Sequence, residues 1–125
     1  MESILKDFYR VEKLSNDDSG NFTAEIKLNP SHNIFKGHFP GNPVTPGVCM
    51  MQIVKDLTEK CTAEKLFLKS ASNVKFMSVI NPEENPDLMI QLNIKTEENI
   101  IKVKSTTLFG ETIALKMSAQ YQKIP

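Results

Sequence analysis

The sequence predicts a single α+β domain spanning residues 1–125, in which antiparallel strands gather around one helix. Three observations predict it. Apolar and polar residues alternate in several runs near both ends of the chain. One stretch between those groups, Val48 to Cys61, instead carries its apolar residues at helical spacing. Prolines and glycines cluster between Pro30 and Gly47 and do not divide the chain into halves, and no repeat or long linker interrupts it.

The elements follow in order. Phe22, Ala24, Ile26 and Leu28 alternate with Thr23, Glu25 and Lys27, the pattern of a half-buried strand. Tyr9 to Leu14 is strand-like too, and Asn16 to Gly20 between them supplies residues that tolerate positive φ, so the pair predicts a hairpin. In Val48 to Cys61, the residues Met50, Ile53, Val54, Leu57 and Cys61 form an apolar stripe, with Lys55, Asp56, Glu59 and Lys60 elsewhere on the wheel. Leu66 to Ile80 reads as a further strand, closed by the prolines of Asn81 to Pro86. Three long strands end the chain, centred on Ile90 to Ile94, Ile101 to Val103 and Ile113 to Tyr121, with short turns at Glu97 to Asn99 and Phe109 to Glu111. The expected order is two strands, one helix, four strands.

Composition narrows the function. The 125 residues carry 15 basic and 15 acidic side chains, a formal net charge of zero, and the basic ones are dispersed, which argues against a nucleic-acid binder. Cys49 and Cys61 form no Cys-x-x-Cys pair and have no His at zinc spacing, so reduced thiols of a cytoplasmic protein are expected. No window approaches a membrane span, and Met1 to Arg10 lacks the apolar core of a secretory leader. A domain of this length would spend much of its interior on a deep pocket, a cost that a pocket shared between subunits would ease.

The informative segment is Phe35-Lys-Gly-His-Phe-Pro-Gly-Asn-Pro-Val-Thr-Pro-Gly-Val48, immediately before the helix. Its prolines restrict φ and its glycines permit close backbone approach, so His38 is expected to be held rigidly, as a general base must be. On residue type alone, His38 reads first as a histidine satisfied by a backbone partner in a loop that wraps the helix.

His38-Phe-Pro-Gly-Asn-Pro-Val-Thr-Pro-Gly-Val48 resembles the His-Phe-Pro-Gly-x-Pro-Val-x-Pro-Gly-Val motif of the 3-hydroxyacyl-acyl-carrier-protein dehydratases, the FabA/FabZ family of hotdog-fold proteins. Ile34 to Gly37, Asn73 to Phe76 and Asn81-Pro82 extend the resemblance, which covers most of residues 5–122. It implies a curved antiparallel sheet wrapped around one central helix, in agreement with the order read above, and at least a dimer with a tunnel at each subunit boundary. It further implies that His38 removes the α-proton of a 3-hydroxyacyl thioester while the backbone N–H of Gly47, with Val48 beside it, holds the thioester oxygen. Phe39, Phe76 and strand aliphatics would line an acyl channel, and Pro46 would precede the oxyanion donor. The N–H groups at a helix start suit that role, since they have no intrahelical partner and the helix dipole favours negative charge there.

The sequence departs from the family at one position. The dehydratases place Glu or Asp fourteen residues after the motif His, as the acid that protonates the departing hydroxyl, and residue 52 here is Gln. Gln52 can hydrogen-bond that hydroxyl or a water but cannot protonate it. Where the family has Gln one turn further on, this chain has Asp56, so acid and amide are exchanged between positions that share a helix face. Asp56 could deliver a proton directly or through one water; it could equally be a solvated residue beside Lys55, Glu59 and Lys60.

Other residues are less specific. His32 reads as a surface or hydrogen-bonding residue, Cys49 as small-hydrophobe packing, and Met50 and Met51 as core or tunnel wall. Lys36, Lys69 and Lys75 could form a basic rim for an acidic carrier, or simply a solvated surface. The first expectation is thus a dehydratase-like homodimer that converts a 3-hydroxyacyl thioester, on an acyl carrier protein or coenzyme A, to the trans-2-enoyl thioester without metal or redox cofactor. Loss of the acid motivates a second, a subunit that binds acyl thioesters without turning them over; a hotdog thioesterase is the third.

Overall fold

The apolar alternation of the last three strands becomes a continuous buried layer in the computed structural model, which describes residues 5–37 and 43–125. The strands are β1 (Tyr9–Asn16), β2 (Asn21–Leu28), β3 (Leu66–Phe76), β4 (Asp87–Glu97), β5 (Ile100–Phe109) and β6 (Thr112–Lys123); the helices are α1 (Asn33–Lys36) and α2 (Gly47–Thr62). All six strands belong to one antiparallel sheet in the order β1-β2-β4-β5-β6-β3. The helix is thus inserted between two strands that stand at different places in the sheet, and β3 crosses to the edge opposite β1.

The turns follow from local chemistry. Asp17 Oδ1 accepts from the N–H groups of Ser19 (2.9 Å) and Asn21 (3.3 Å), while Asp18 (φ 64°) and Gly20 (φ 86°) take the left-handed conformation that Asp, Asn and Gly tolerate. Gly20 is required for a second reason: a Cβ there would lie 2.6 Å from the Ile94 carbonyl oxygen, and Ile94 N–H donates to the Gly20 carbonyl at 2.8 Å. The first hairpin is therefore stitched to β4 at its tip.

Inward residues of the sheet, among them Ile26, Leu28, Ile90, Leu92, Ile101 and Leu115, close over Met50, Ile53, Val54 and Leu57 of α2. Burying each such side chain contributes about 1.5–3 kcal/mol. Cys61, expected at the end of the stripe, is only half-buried, and Thr58 takes the buried place with its hydroxyl donating to Val54 O at 2.8 Å. The sequence pattern does not predict the short α1. His32 caps it: Nδ1 accepts from Ile34 N–H (3.1 Å), so Nε2 carries the proton that it shares with Lys6 O (2.9 Å), and the ring stands edge-on to Phe8.

Edge strand β3 is exposed along most of its length and ends at Phe76, four residues before the expected Ile80. Phe67, Leu68 and Phe76 on it, Met77 and Val79 just beyond, and Val48 on α2 are apolar and exposed. In β5, by contrast, two hydroxyls face the core: Ser105 Oγ and Thr107 Oγ1 are buried without a hydrogen-bond partner among the described residues. An unmet buried hydroxyl costs about 1–3 kcal/mol. Replacing Thr107 with the isosteric Val is expected to stabilise the fold by about 1 kcal/mol, raising Tm by roughly 3–5 °C in thermal melts; an unchanged or lower Tm would mean that the hydroxyl is satisfied.

Candidate active site

The start of α2 is set by Thr45, whose N–H and Oγ1 both donate to Ile80 O at 2.9 Å, tying the segment before the helix to the chain that follows β3. Pro46 is the N-cap, in extended conformation, and it has no side-chain group that can cap. Its carbonyl accepts from Cys49 (3.0 Å) and Met50 (3.2 Å). The N–H groups of Gly47 and Val48, which come first in the helix, have no acceptor within it. Among the described residues, the helix thus begins with two donors and a positive dipole end that no acidic side chain of its first turn offsets.

Gly47 is needed by close approach. The Phe76 ring lies across the first turn, and a Cβ on Gly47 would meet its Cζ at 2.7 Å. Gly47 and Phe76 border an apolar groove of about 500 Å³ with Val44, Met50, Met77 and Val79. One turn along α2, a smaller groove of about 210 Å³ is lined by Val48, Met51, Gln52, Leu68, Met117 and Tyr121, with Lys55 beside them. Both grooves lie against residues of edge strand β3.

Gln52 and Asp56 are joined. Gln52 Nε2 donates to Asp56 Oδ1 at 2.9 Å, and the hydroxyl of Tyr9, 47 residues away in sequence, donates to Asp56 Oδ2 at 3.1 Å. Asp56 is partly buried and bonded through both oxygens, unlike the solvated helix residue that was the alternative. Burial first, and then the Asp56 carboxylate it bonds, pushes the Tyr9 hydroxyl well above the ordinary phenol value. Burial, then Asp56 and Glu59, pushes Tyr121 up to about 12. Both phenols are therefore protonated at physiological pH. Burial also raises the Cys49 thiol, and pushes Cys61 up to about 11 with a small opposing effect of Lys60, so both are poor nucleophiles.

The structure thus gathers Pro46, Gly47 and Val48 at one helix start and Gln52 with Asp56 one to two turns along the same helix. His38 and Phe39 lie outside the described residues. Lys36, Lys69 and Lys75 are all exposed. The sequence reading did not find Tyr9 or Tyr121 as site residues: the period of β6 marked Tyr121 as inward, but nothing local connects Tyr9 to a helix residue 47 positions on.

An antiparallel sheet wrapped on one central helix, with the helix start open to a groove at the sheet edge, defines a hotdog-fold protein. The family model for ApeI-like proteins, ApeI dehydratase, matches residues 13–114, and the chain belongs to that family. A 3-hydroxyacyl-(acyl-carrier-protein) dehydratase FabZ of Levilactobacillus brevis is 30% identical over 112 residues, covering 84% of this chain and 74% of that protein. Among solved structures, the dehydratase heterocomplex ApeI:P from Xenorhabdus doucetiae is similar with a TM-score of 0.73 at 19% identity, over 90% of this chain and 96% of that one. A hypothetical thioesterase with coenzyme A from Streptococcus pneumoniae has a TM-score of 0.68 at 12% identity, over 96% and 90%. At those identities the structures share the fold.

The two tyrosines give a pH prediction. The folded protein holds the phenolic protons more tightly than the unfolded chain, where tyrosine ionises near 10. Their contribution to stability is whole below that value and is lost as pH rises through about 12 for Tyr121 and higher still for Tyr9. Since the chain has two tyrosines, phenolate absorbance at pH 10 should be nearly absent in the native protein and about half-developed in denaturant; equal absorbance in the two would contradict the burial and the Asp56 contact.

Proposed function

We propose that the protein is a dehydratase of 3-hydroxyacyl thioesters. The observation that carries this reading is the start of α2: a proline N-cap, two N–H donors without an acceptor among the described residues and an apolar groove beside them, in a chain of a dehydratase family. Such a helix start stabilises an oxyanion, which is what a thioester carbonyl becomes when its α-proton leaves.

In this mechanism His38 takes the α-proton, and the bonding pair moves onto the thioester oxygen, held by the N–H groups of Gly47 and Val48. The pair then returns to form the double bond between the α and β carbons, and the C–O bond to the 3-hydroxyl breaks. The departing oxygen needs a proton. Gln52 occupies the acid's place and has none to give, so it holds the hydroxyl by hydrogen bonding. The proton comes from the His38 imidazolium, which regains its neutral form. Water and the trans-2-enoyl thioester are the products, so atoms and charge balance. Phe39 and the apolar groove residues line the acyl chain, and the phosphopantetheine arm arrives with the substrate, on an acyl carrier protein or coenzyme A.

A second copy is part of the proposal. The exposed apolar residues of β3, Val48 and the segment after Phe76 border both grooves, and the outer edge of β3, which pairs with no further strand among the described residues, suits pairing with another β3. A homodimer formed at this edge would roof the site. A different partner chain would do so too, and the structural relative from Xenorhabdus doucetiae is itself a heterocomplex. In that case the Gln at position 52 favours a second reading, a subunit that binds the acyl thioester beside an active partner.

Absorbance-monitored interconversion of 3-hydroxyacyl and enoyl thioesters decides between these readings. Wild type should turn over, His38→Ala should lose about 10²–10⁴-fold, and Asp56→Asn should lose less unless Asp56 is the acid. Silence in wild type with activity restored by Gln52→Glu would support the binding subunit. Light scattering should give a dimer mass at micromolar concentration; a monomer mass would contradict the shared site.

A further inference from the structure

We propose that Tyr121 is a further catalytic residue of the dehydration: its hydroxyl donates a hydrogen bond to the 3-oxygen of the substrate as that oxygen departs, supplying the O–H group that position 52 lacks. The inference rests on the reading that the groove receives a 3-hydroxyacyl thioester.

Tyr121 stands near the end of β6, where the period of two turns it inward, and the residue is only 1% exposed. It lines the groove of about 210 Å³ together with Gln52, in surroundings that Val48, Met51, Leu68 and Met117 make largely apolar. Among the described residues its hydroxyl has no hydrogen-bond partner. Yet it is not one of the sealed oxygens without a partner, which are those of Ser105 and Thr107. The hydroxyl is therefore the part of Tyr121 that the groove reaches. The chain's other phenol differs in both respects: Tyr9 donates to Asp56 Oδ2 at 3.1 Å and lines no part of this groove. The remaining side-chain donors of the lining each have an acceptor, the Gln52 amide nitrogen in Asp56 Oδ1 at 2.9 Å and the Lys55 ammonium in Glu59 Oε2 at 3.6 Å. A nearly buried donor with no protein partner is one that a ligand oxygen can satisfy.

A phenol suits this place chemically. Burial and the nearby carboxylates of Asp56 and Glu59 keep it protonated, so its hydrogen is there to be shared. The same carboxylates oppose the negative charge that builds on the 3-oxygen as the C–O bond breaks, which makes a donor to that oxygen worth more here than in water. The hydrogen bond strengthens as the charge builds, so it is stronger in the transition state than in the bound substrate. The phenolic proton stays on Tyr121 throughout; the departing oxygen takes its proton from the His38 imidazolium and leaves as water. A residue in this role lowers the barrier to C–O cleavage and does nothing for removal of the α-proton.

The test compares two reactions in wild type and in Tyr121→Phe, which keeps the ring that packs in the core and removes only the oxygen. One is dehydration of a 3-hydroxyoctanoyl thioester, on coenzyme A and on an acyl carrier protein, followed by enoyl absorbance. The other is exchange of the α-protons of an octanoyl thioester with deuterium oxide, a ligand that has no 3-oxygen. The variant should lose about 10²-fold in kcat for dehydration with KM within about two-fold, while its α-exchange rate and its thermal melt stay those of wild type. A merely structural role predicts something else, since damage to the fold or to the groove slows both reactions together; equal losses in the two would overturn the inference. So would a variant that dehydrates as fast as wild type, and that result would leave the dehydratase reading standing. A wild-type protein that dehydrates neither carrier's thioester would overturn that reading and the inference with it.

Discussion

Burial of one stripe of α2 against the sheet is the constraint on which the site depends. With Met50, Ile53, Val54 and Leu57 locked under the strands, the rotation of the helix about its own axis is settled. Val48, Gln52 and Asp56, each one turn from the next, must then lie on a flank of the buried stripe, with Val48 exposed and the two polar residues half-buried. The same packing aims the helix start at the end of β3, where Phe76 rests on Gly47. A rotation of even one residue would bury the polar flank and expose the stripe, so hydrophobic burial holds the chemistry in place.

Two features of the flank work in opposite electrostatic senses. At the helix start the two N–H donors and the dipole favour developing negative charge. Farther along, Asp56 and Glu59 make the surroundings of Tyr9 and Tyr121 negative, and together with burial they keep both phenols protonated. An acyl thioester laid along the helix would therefore place its carbonyl at the positive end and its 3-substituent near a hydrogen-bonded amide. The apolar edge of β3 runs beside both places, so the surface suited to subunit pairing and the surface suited to substrate are one surface.

Much of the fold was legible in the sequence because long half-buried strands write a strict period of two, as in Leu88, Ile90, Leu92 and Ile94, all inward. The helix was legible within a residue at each end, since its stripe carries the period of 3.6. What was missed has physical reasons. A helix of four residues is too short to show a period, so α1 passed unnoticed. The apolar pattern extends β3 too far because it continues past Phe76 through Met77 and Val79, which are exposed, to Ile80, which is buried, in a segment that is not sheet. The site divided similarly. Pro46, Gly47 and Val48 could be read from a local motif, and Gln52 with Asp56 from helical spacing. Tyr9 could not, because its contact with Asp56 depends on how the first strand lies over the helix, which no local pattern records.

The central claim is that this helix start stabilises the enolate of an acyl thioester. The most direct measurement separates proton removal from loss of the hydroxyl: exchange of the α-protons of a saturated acyl thioester with deuterium oxide, followed by NMR. Such exchange needs a base and an oxyanion site but no acid, so Gln52 does not bear on it. Deuterium should enter at the α-carbon with the wild-type protein and fail to enter with His38→Ala. A thioester that binds yet keeps its α-protons at the uncatalysed rate would contradict the claim.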